Sequence, residues 1–142
     1  MSCVFCDIIA GKIPAEIVWR SENAVAFLDH RPVFPGHVLL APAAHIGTLA
    51  DLPADQVGPL FQIAQKLETA VERALGAEGS FVAVNNRVSQ SVPHLHVHVV
   101  PRRRGDGLKG FFWPRHKYAS PEHMRETAGK IRNALTTPAN SR

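Results

Sequence analysis

The feature that most constrains this chain is a stretch in which histidines alternate with apolar residues. It runs over seven positions: His94, Leu95, His96, Val97, His98, Val99 and Val100. Alternation with β-branched residues, closed at each end by a proline, predicts a short β-strand. Because successive side chains of a strand point to opposite faces, the three histidines share one face, about 6.7 Å apart. The apolar residues then face a core.

Three imidazoles on one strand face allow three interpretations. One is phosphoryl or nucleotidyl transfer, with one imidazole as the nucleophile and its neighbours donating to the phosphate. Another is a metal site, because neutral imidazole binds zinc and His-x-His on a strand can place two ligands on one ion. The third is a partly exposed polar face, which is the weakest because solvated strand faces favour Lys, Glu and Thr.

Length and composition indicate one domain in the cytoplasm. The chain has 142 residues, of which 45% are hydrophobic and 20% charged, as is ordinary for a globular protein with a real core. With two cysteines and no export signal, a cytoplasmic location is expected and a disulfide framework is not. No stretch approaches the ~18 apolar residues of a membrane span, so no membrane partner is expected.

The net charge and the glycine motifs bear on which ligands the chain could bind. The net charge of +4 suits anionic ligands such as nucleotides, but it also suits loose nucleic-acid contact and decides little by itself. No specific nucleic-acid partner is predicted. The sequence contains no G-x-G-x-x-G or G-x-x-x-x-G-K-[ST] segment, so neither a Rossmann dinucleotide site nor a P-loop is supported.

The hydrophobic pattern predicts an α+β fold. Besides the histidine strand, strands are predicted at 13–20, 24–29, 37–42 and 80–85, and a helical turn at 7–12. One long helix is predicted from about Ala54 to Leu75, with Gly76 as its stop. A last helix is predicted from the cap Ser120 to near Leu135, followed by a frayed tail at 136–142. Several strands with hairpin-length links around one major helix predict an antiparallel sheet.

The histidine stretch resembles the H-φ-H-φ-H-φ-φ signature of the histidine triad (HIT) family of nucleotide hydrolases and transferases. Other segments resemble the family's landmarks in the same order: 3–14, 26–29, 35–37 and 90–92. The resemblance covers about residues 3 to 101. It implies an antiparallel sheet packed with one long helix and a C-terminal helix, working as a homodimer. A HIT domain is expected over 1–118, with a peripheral helix and tail over 119–142.

The resemblance also implies a mechanism for the triad. His96, the middle histidine, is expected to attack the α-phosphorus of a purine nucleotide and form a nucleotidyl-histidine that water resolves. His98 and His37 are expected to hydrogen-bond the nonbridging oxygens, doing the work that Mg²⁺ does in other phosphoryl-transfer enzymes. On this basis no catalytic metal is required.

The remaining predicted contacts follow residue by residue from the same resemblance. Gln90 and Ser91 are expected to contact the phosphate and the leaving side, and Asn85 the phosphate or ribose. Asp29 matches the family's ribose-binding acid, although by itself an aspartate at a strand end favours a turn. An apolar slot for the purine is expected from four residues that would otherwise be plain core: Phe5, Ile8, Phe27 and Leu28.

The resemblance gives partners to the C-x-x-C pair, which alone is only half of a zinc site. Several bacterial members of the family bind a structural zinc with four positions that match Cys3, Cys6, His45 and His94. Two cysteines and two histidines form the closed tetrahedral shell of a structural site. The alternative is a pair of reduced, metal-free cysteines.

Three hypotheses about function stay open at this point. The first is a nucleotide hydrolase whose branch is undecided. The cysteine-bearing N-terminus resembles the Hint-like phosphoramidases, whereas residues 99–102 resemble the Fhit-like dinucleoside polyphosphate hydrolases. A zinc hydrolase that uses the three triad histidines on one catalytic metal is a second hypothesis. A nucleotide-binding module with little turnover is a third.

Overall fold

The structure, a computed structural model, describes residues 2–108 and 115–136. The chain forms two compact units, Met1–Asp106 and Gly107–Arg142. The first contains a sheet, two helices and a short 3₁₀ turn, and the second contains the C-terminal helix. Residues 137–142 of the predicted tail lie outside the described residues. The predicted division after residue 118 stays a prediction.

The first unit is built on a five-stranded antiparallel sheet. Its strands are β1 (Ile17–Arg20), β2 (Ala24–Leu28), β3 (Val38–Pro42), β4 (Gly79–Val84) and β5 (Val97–Arg102), in the spatial order β1-β2-β3-β5-β4. Its helices are α1 (Val4–Ile9) and α2 (Ala54–Leu75), with the 3₁₀ turn at Leu49–Asp51. All four strand pairings are antiparallel, which confirms the predicted α+β class.

Strand periodicity divides the sheet into two faces. On the face that α2 covers, alternate strand residues such as Ala26, Leu40 and Val97 pack against the apolar side of the helix. On the opposite face, the intervening residues of β2 and β3 pack against Phe5 of α1. Leu95, Val97 and Val99 are fully buried in the α2 core, as predicted. The histidines between them therefore lie on the α1 side of the sheet.

The histidine strand begins later than predicted, at Val97 instead of His94. The reason is local hydrogen bonding. The His94 amide donates to Val92 O at 2.8 Å, which closes a tight turn, and the Leu95 amide donates to Ile46 O at 2.6 Å. Residues 94–96 thus bond to the 46 loop and to their own turn, and regular pairing with β3 and β4 starts only afterwards.

The N-terminal segment also differs from its predicted bounds. Helix α1 begins at Val4, earlier than the predicted turn, because Cys3 caps it: the Cys3 sulfur accepts from the Cys6 amide at 3.4 Å. Residues 13–16, predicted as strand, precede β1 without joining it. The amides of Lys12 and Ile13 instead donate back to Asp7 O of α1, at 2.8 and 3.3 Å. These two hydrogen bonds turn the chain back, so that residues 13–16 lie beside α1.

The predicted long helix and the predicted last helix are both confirmed. Helix α2 spans Ala54–Leu75 and stops at Gly76, whose φ of +62° lies in the left-handed region that glycine tolerates. Helix α3 spans Pro121–Leu135, and the hydroxyl of Ser120 caps it by accepting from the His123 amide at 3.0 Å. None of the helices in the described ranges combines the length and the apolar character that crossing a membrane requires.

Candidate active site and metal site

A cavity of about 740 Å³ lies between α1 and the α1-facing side of the sheet. Its walls are mostly apolar, and its polar groups come from β5, from the segment before β5, from residues 29 and 30 after β2, and from the segment before β1. Eight of the residues predicted for catalysis or substrate binding line it: Phe5, Ile8, Phe27, Leu28, Asp29, Ser91, His96 and His98. A mostly apolar cavity with a few converging polar groups is typical of a small-molecule site.

His96 is held in one tautomer by the backbone. Its Nδ1 lies 2.8 Å from the carbonyl oxygen of His94, an acceptor, so Nδ1 carries the hydrogen and donates it. In the neutral form of the ring, Nε2 is therefore the nitrogen with a free lone pair. The ring is 4% exposed and packs edge-on against Phe5, with the two centroids 4.9 Å apart. His96 is thus a fixed imidazole with one nitrogen able to act as a nucleophile.

His98 and His37 form a direct pair. His37 Nε2 lies 3.0 Å from His98 Nδ1, across neighbouring strands. Burial lowers the pKa of His98 to about 4, with further lowering from His96 and His37. Burial also lowers the pKa of His37, against the opposing effect of the Asp29 carboxylate. Both rings are therefore neutral near pH 7.

Asp29 lies at the end of β2 and closes the loop that follows it. One carboxylate oxygen accepts from the Arg31 amide at 2.9 Å, and the other lies 3.7 Å from His37 Nδ1. The side chain is 20% exposed and lines the cavity. The carboxylate therefore forms the turn that an aspartate at a strand end favours, and it also faces the cavity.

Three predicted residues lie outside the cavity lining. His37 reaches it only through His98. The side chain of Gln90 is used within the protein, because its amide nitrogen donates to Gly47 O at 2.7 Å and its oxygen accepts from the Arg87 amide at 2.9 Å. Asn85 follows β4 and is not among the described residues that line the cavity.

Sequence reasoning missed part of the cavity wall. The segment before β1 contributes Ile13, Pro14, Ala15 and Glu16, and His30 stands at the rim. The sequence predicted 13–20 as an edge strand, and a strand pattern does not say which other element a segment faces. The only signal was the presence of Ile13 and Pro14 among the residues that carry the family resemblance.

Beside the cavity, four thiol and imidazole side chains converge. One donor atom from each of Cys3, Cys6, His45 and His94 lies within 4.8 Å of all the others. Cys3 Sγ is 3.4 Å from His94 Nδ1, and Cys6 Sγ is 3.4 Å from His45 Nδ1 and 3.6 Å from His94 Nδ1. These are the four residues predicted as metal ligands, and together they could hold a metal ion.

The distances fit a tetrahedral zinc shell. Zn–S bonds of about 2.3 Å and Zn–N bonds of about 2.0 Å, at the tetrahedral angle, give S···N edges of about 3.5 Å. The three S···N distances above match this edge. His94 also has the supporting hydrogen bond typical of a metal-binding histidine, because its Nε2 donates to Pro42 O at 2.9 Å. Burial and the neighbouring Cys3 raise the pKa of the Cys6 thiol, so the thiolate form needs a compensating cation.

A family model described as "HIT domain" matches residues 10–105. The chain belongs to the HIT domain family. The crystal structure of a HIT family member from Bacillus subtilis superimposes with a TM-score of 0.87 at 32% identity, covering 97% of this chain and 100% of that one. This HIT structure has the same overall fold.

Further HIT relatives bear on chemistry and metal content. The adenosine 5′-monophosphoramidase hnt1 of Schizosaccharomyces pombe is 31% identical over 137 residues, covering 95% of this chain and 99% of that protein. The asymmetrical bis(5′-nucleosyl)-tetraphosphatase of the same organism is 32% identical over 100 residues, covering 68% of this chain and 55% of that protein. A zinc-bound histidine triad family protein from Mycobacterium smegmatis has a TM-score of 0.72 at 35% identity, covering 94% and 98% of the two chains.

Proposed function

We propose that this protein is a nucleotide hydrolase that cleaves substituted purine nucleoside 5′-phosphates through a nucleotidyl-histidine intermediate on His96. The observation that carries the proposal is the His96 ring itself. Its Nδ1 is committed to His94 O at 2.8 Å, and the ring lines an apolar cavity that a purine can enter. A neutral imidazole with one free nitrogen suits attack at phosphorus, because it brings no negative charge toward the phosphate oxygens.

The reaction then proceeds in two displacements. His96 Nε2 attacks the α-phosphorus, and the substituent leaves with its bonding electron pair and takes up a proton from the solvent, which gives a covalent nucleotidyl-histidine. Water next attacks the same phosphorus and gives up a proton to the solvent as the bond to Nε2 breaks, which releases the nucleoside monophosphate and the free imidazole. Covalent capture divides one difficult displacement into two easier ones. His98 assists by hydrogen-bonding the phosphate as its charge shifts.

The cavity supports a binding mode for the nucleotide. The aromatic and aliphatic side chains of Phe5, Ile8 and Phe27 form the slot for the purine, and Leu28, which is 37% exposed, leaves surface for it to cover. Asp29 is placed to accept from the ribose hydroxyls. Ser91 lines the same cavity and is assigned to the leaving side.

We propose zinc as the metal at Cys3, Cys6, His45 and His94, with a structural role. The four residues would fill the coordination shell and leave no open position for a substrate or water. Bound there, the ion would join α1 to the turn that precedes β5. The mycobacterial zinc-bound relative is consistent with this choice of metal.

A catalytic zinc on the three triad histidines has less support. His94 shares its group of donor atoms with the cysteines, whereas His96 and His98 direct nitrogens to His94 O and to His37. Within the described ranges the three triad rings form no group of converging metal donors. We therefore assign no catalytic metal to the reaction.

Two substrate classes remain, and each is supported by the name of one relative. The phosphoramidase relative suggests a P–N bond as the one that breaks, and the tetraphosphatase relative suggests a dinucleoside polyphosphate. We place phosphoramidates first, because the phosphoramidase relative aligns over nearly the whole of both chains. The decisive experiment compares kcat/KM for an adenosine 5′-phosphoramidate, diadenosine triphosphate and diadenosine tetraphosphate under one set of conditions.

The outcome of that comparison tests the function directly. Hydrolysis of at least one substrate, with a labelled nucleotidyl group transiently attached to His96, supports the proposal. Tight nucleotide binding with turnover of none of them would identify a binding module instead. Label on a different residue during turnover would rule out His96 as the nucleophile.

We further propose that the protein works as a homodimer in the cytoplasm. Strand β4 is at the edge of the sheet, and its residue Val82 is 42% exposed, while α2 exposes Phe61. A second copy would cover both surfaces by pairing β4 and α2 with their counterparts. Light scattering should then give a mass near twice the 15.5 kDa of one chain.

A further inference from the structure

The contact between His37 and His98 holds one hydrogen between two nitrogens. His37 Nε2 and His98 Nδ1 are 3.0 Å apart. Two bare lone pairs at that distance would repel, and two N–H groups facing each other would repel as well, so neither arrangement makes a hydrogen bond. One of the two nitrogens therefore carries the hydrogen and the other accepts it.

The backbone amide of Val33 decides which nitrogen carries it. This amide donates to His37 Nδ1 at 3.1 Å. A neutral imidazole that accepts at Nδ1 has its hydrogen on Nε2, so His37 donates to His98. The opposite arrangement would set two N–H groups against each other at the Val33 contact. The Asp29 carboxylate, 3.7 Å from His37 Nδ1, is too distant to accept a hydrogen bond in its place.

The consequence reaches the cavity. Because His98 accepts at Nδ1, its own hydrogen is on Nε2. That atom is buried and has no hydrogen-bond partner in the described part of the chain. The His98 ring lines the cavity, beside His96, at a centroid distance of 4.8 Å. An unpaired buried donor is costly in a folded protein, so a donor retained here points to a bound acceptor.

We propose that the backbone amide of Val33 is a positioning group for catalysis: acting through His37, it makes His98 present an N–H to the phosphate. This inference rests on the proposed function for the identity of the acceptor. His37 is then also a positioning residue, which acts through His98 without contacting the phosphate. His98 donates a hydrogen bond and transfers no proton, because a neutral imidazole that lost its hydrogen would become an anion.

The loop around Val33 is built to hold this amide still. The Asp29 amide donates to His37 O at 2.9 Å, and the His37 amide donates to Phe34 O at 3.0 Å, so the loop closes on itself. Prolines at 32 and 35 restrict the backbone on either side. The side chain of Val33 is 49% exposed, so what this position contributes is its backbone amide.

The first test measures the tautomers in the unmodified protein. Nitrogen NMR of histidine-labelled protein near pH 7.5, assigned with His37→Gln and His98→Gln, distinguishes protonated from bare ring nitrogens. The expected result is hydrogen on Nε2 of both rings and bare Nδ1 atoms. Hydrogen on Nδ1 of His98 would overturn the inference. Because no substrate is present, this outcome is independent of whether the protein turns over nucleotides.

The second test removes the amide hydrogen. Val33→Pro should redistribute the His98 hydrogen toward Nδ1 and lower kcat about tenfold or more, with KM changed less than twofold. Val33→Ala keeps the amide and should give the nitrogen spectrum of the unmodified protein. A Val33→Pro protein whose nitrogen spectrum and kcat are both unchanged would overturn the proposal. If Val33→Pro does not fold, the spectrum of the unmodified protein still decides.

Discussion

The Nδ1 atom of His96 lies 2.8 Å from the carbonyl oxygen of His94, so the proposed nucleophile is oriented by a residue of the cluster that could hold a metal ion. His94 is fixed in turn by its own ring, which faces the two cysteines on one side and Pro42 O on the other. The backbone between the two histidines therefore joins the candidate metal ligands to the proposed nucleophile. This arrangement explains how a metal could support catalysis without contacting substrate.

Replacing the nucleophile should separate binding from turnover. His96→Ala should lower kcat by about 10⁴-fold or more, because no other group can form the covalent intermediate, while nucleotide binding should change little. Calorimetry with adenosine monophosphate measures the binding. His116→Ala is a matched control, since the His116 side chain is exposed. Wild-type turnover in His96→Ala would remove the basis of the mechanism.

Removing the metal should lower stability more than turnover. If free zinc is present at about 100 times its dissociation constant, binding contributes about 2.7 kcal/mol. Chelation should then lower Tm on the order of 10 °C in a chain of this size. Cys6→Ser should begin at the lower Tm and show no further drop with chelator. Loss of turnover on chelation, without a change in Tm, would indicate a catalytic metal instead.

Gly36 should be intolerant of a side chain. Its φ is +97°, and an added Cβ would overlap the Cδ1 atom of Leu75 at the end of α2, a side-chain end that is 40% exposed and can move aside. The left-handed backbone therefore sets the cost, and Gly36→Ala should lower the free energy of unfolding by about 1–3 kcal/mol. The residue precedes His37, so turnover should fall as well. Urea unfolding measures the first effect.

Gly58 provides the matched control for that substitution. It lies within α2, and an added Cβ would meet nothing within 4 Å. Gly58→Ala should therefore raise the free energy of unfolding by about 0.5–1 kcal/mol, because alanine loses less backbone entropy in a helix. Equal effects of the two substitutions would contradict the assigned role of Gly36.

The protein should lose stability as the pH falls below neutrality. The pKa of His98 is lowered from its ordinary 6.5 to about 4 by burial, and the pKa of His37 is lowered in the same direction. Between about pH 6.5 and 4, His98 and His37 therefore bind protons in the unfolded chain but stay largely unprotonated in the folded chain. The contribution of these two neutral rings to the free energy of unfolding is complete above pH 6.5 and is lost as the pH falls toward 4.

Urea midpoints at pH 7.5 and pH 5 measure this dependence. The midpoint should be lower at pH 5, and the difference should be smaller in His98→Gln, which cannot titrate there. Titrating groups that do not contact position 98 contribute equally to both proteins, so they cancel in the comparison. An identical pH dependence in the two proteins would show that His98 is not held neutral by the fold.

Much of this protein follows from its sequence because strand and helix periodicities are local. Alternation alone places His96 and His98 on the face opposite Val97, since the side-chain period of a strand is two residues. The bounds of α2 follow equally from helical spacing and a terminal glycine. Residue types and order also identified the HIT family and the four side chains that converge as possible metal ligands.

Only the tertiary structure decided which partner each polar group takes. Gln90 was predicted to contact phosphate, yet its amide is engaged by Gly47 O and the Arg87 amide. His37 was predicted beside the phosphate, yet it lies against His98, 61 positions away, and is oriented by the Val33 amide. Hydrogen-bond partners depend on distances between segments that are remote in sequence, and no local pattern encodes those distances.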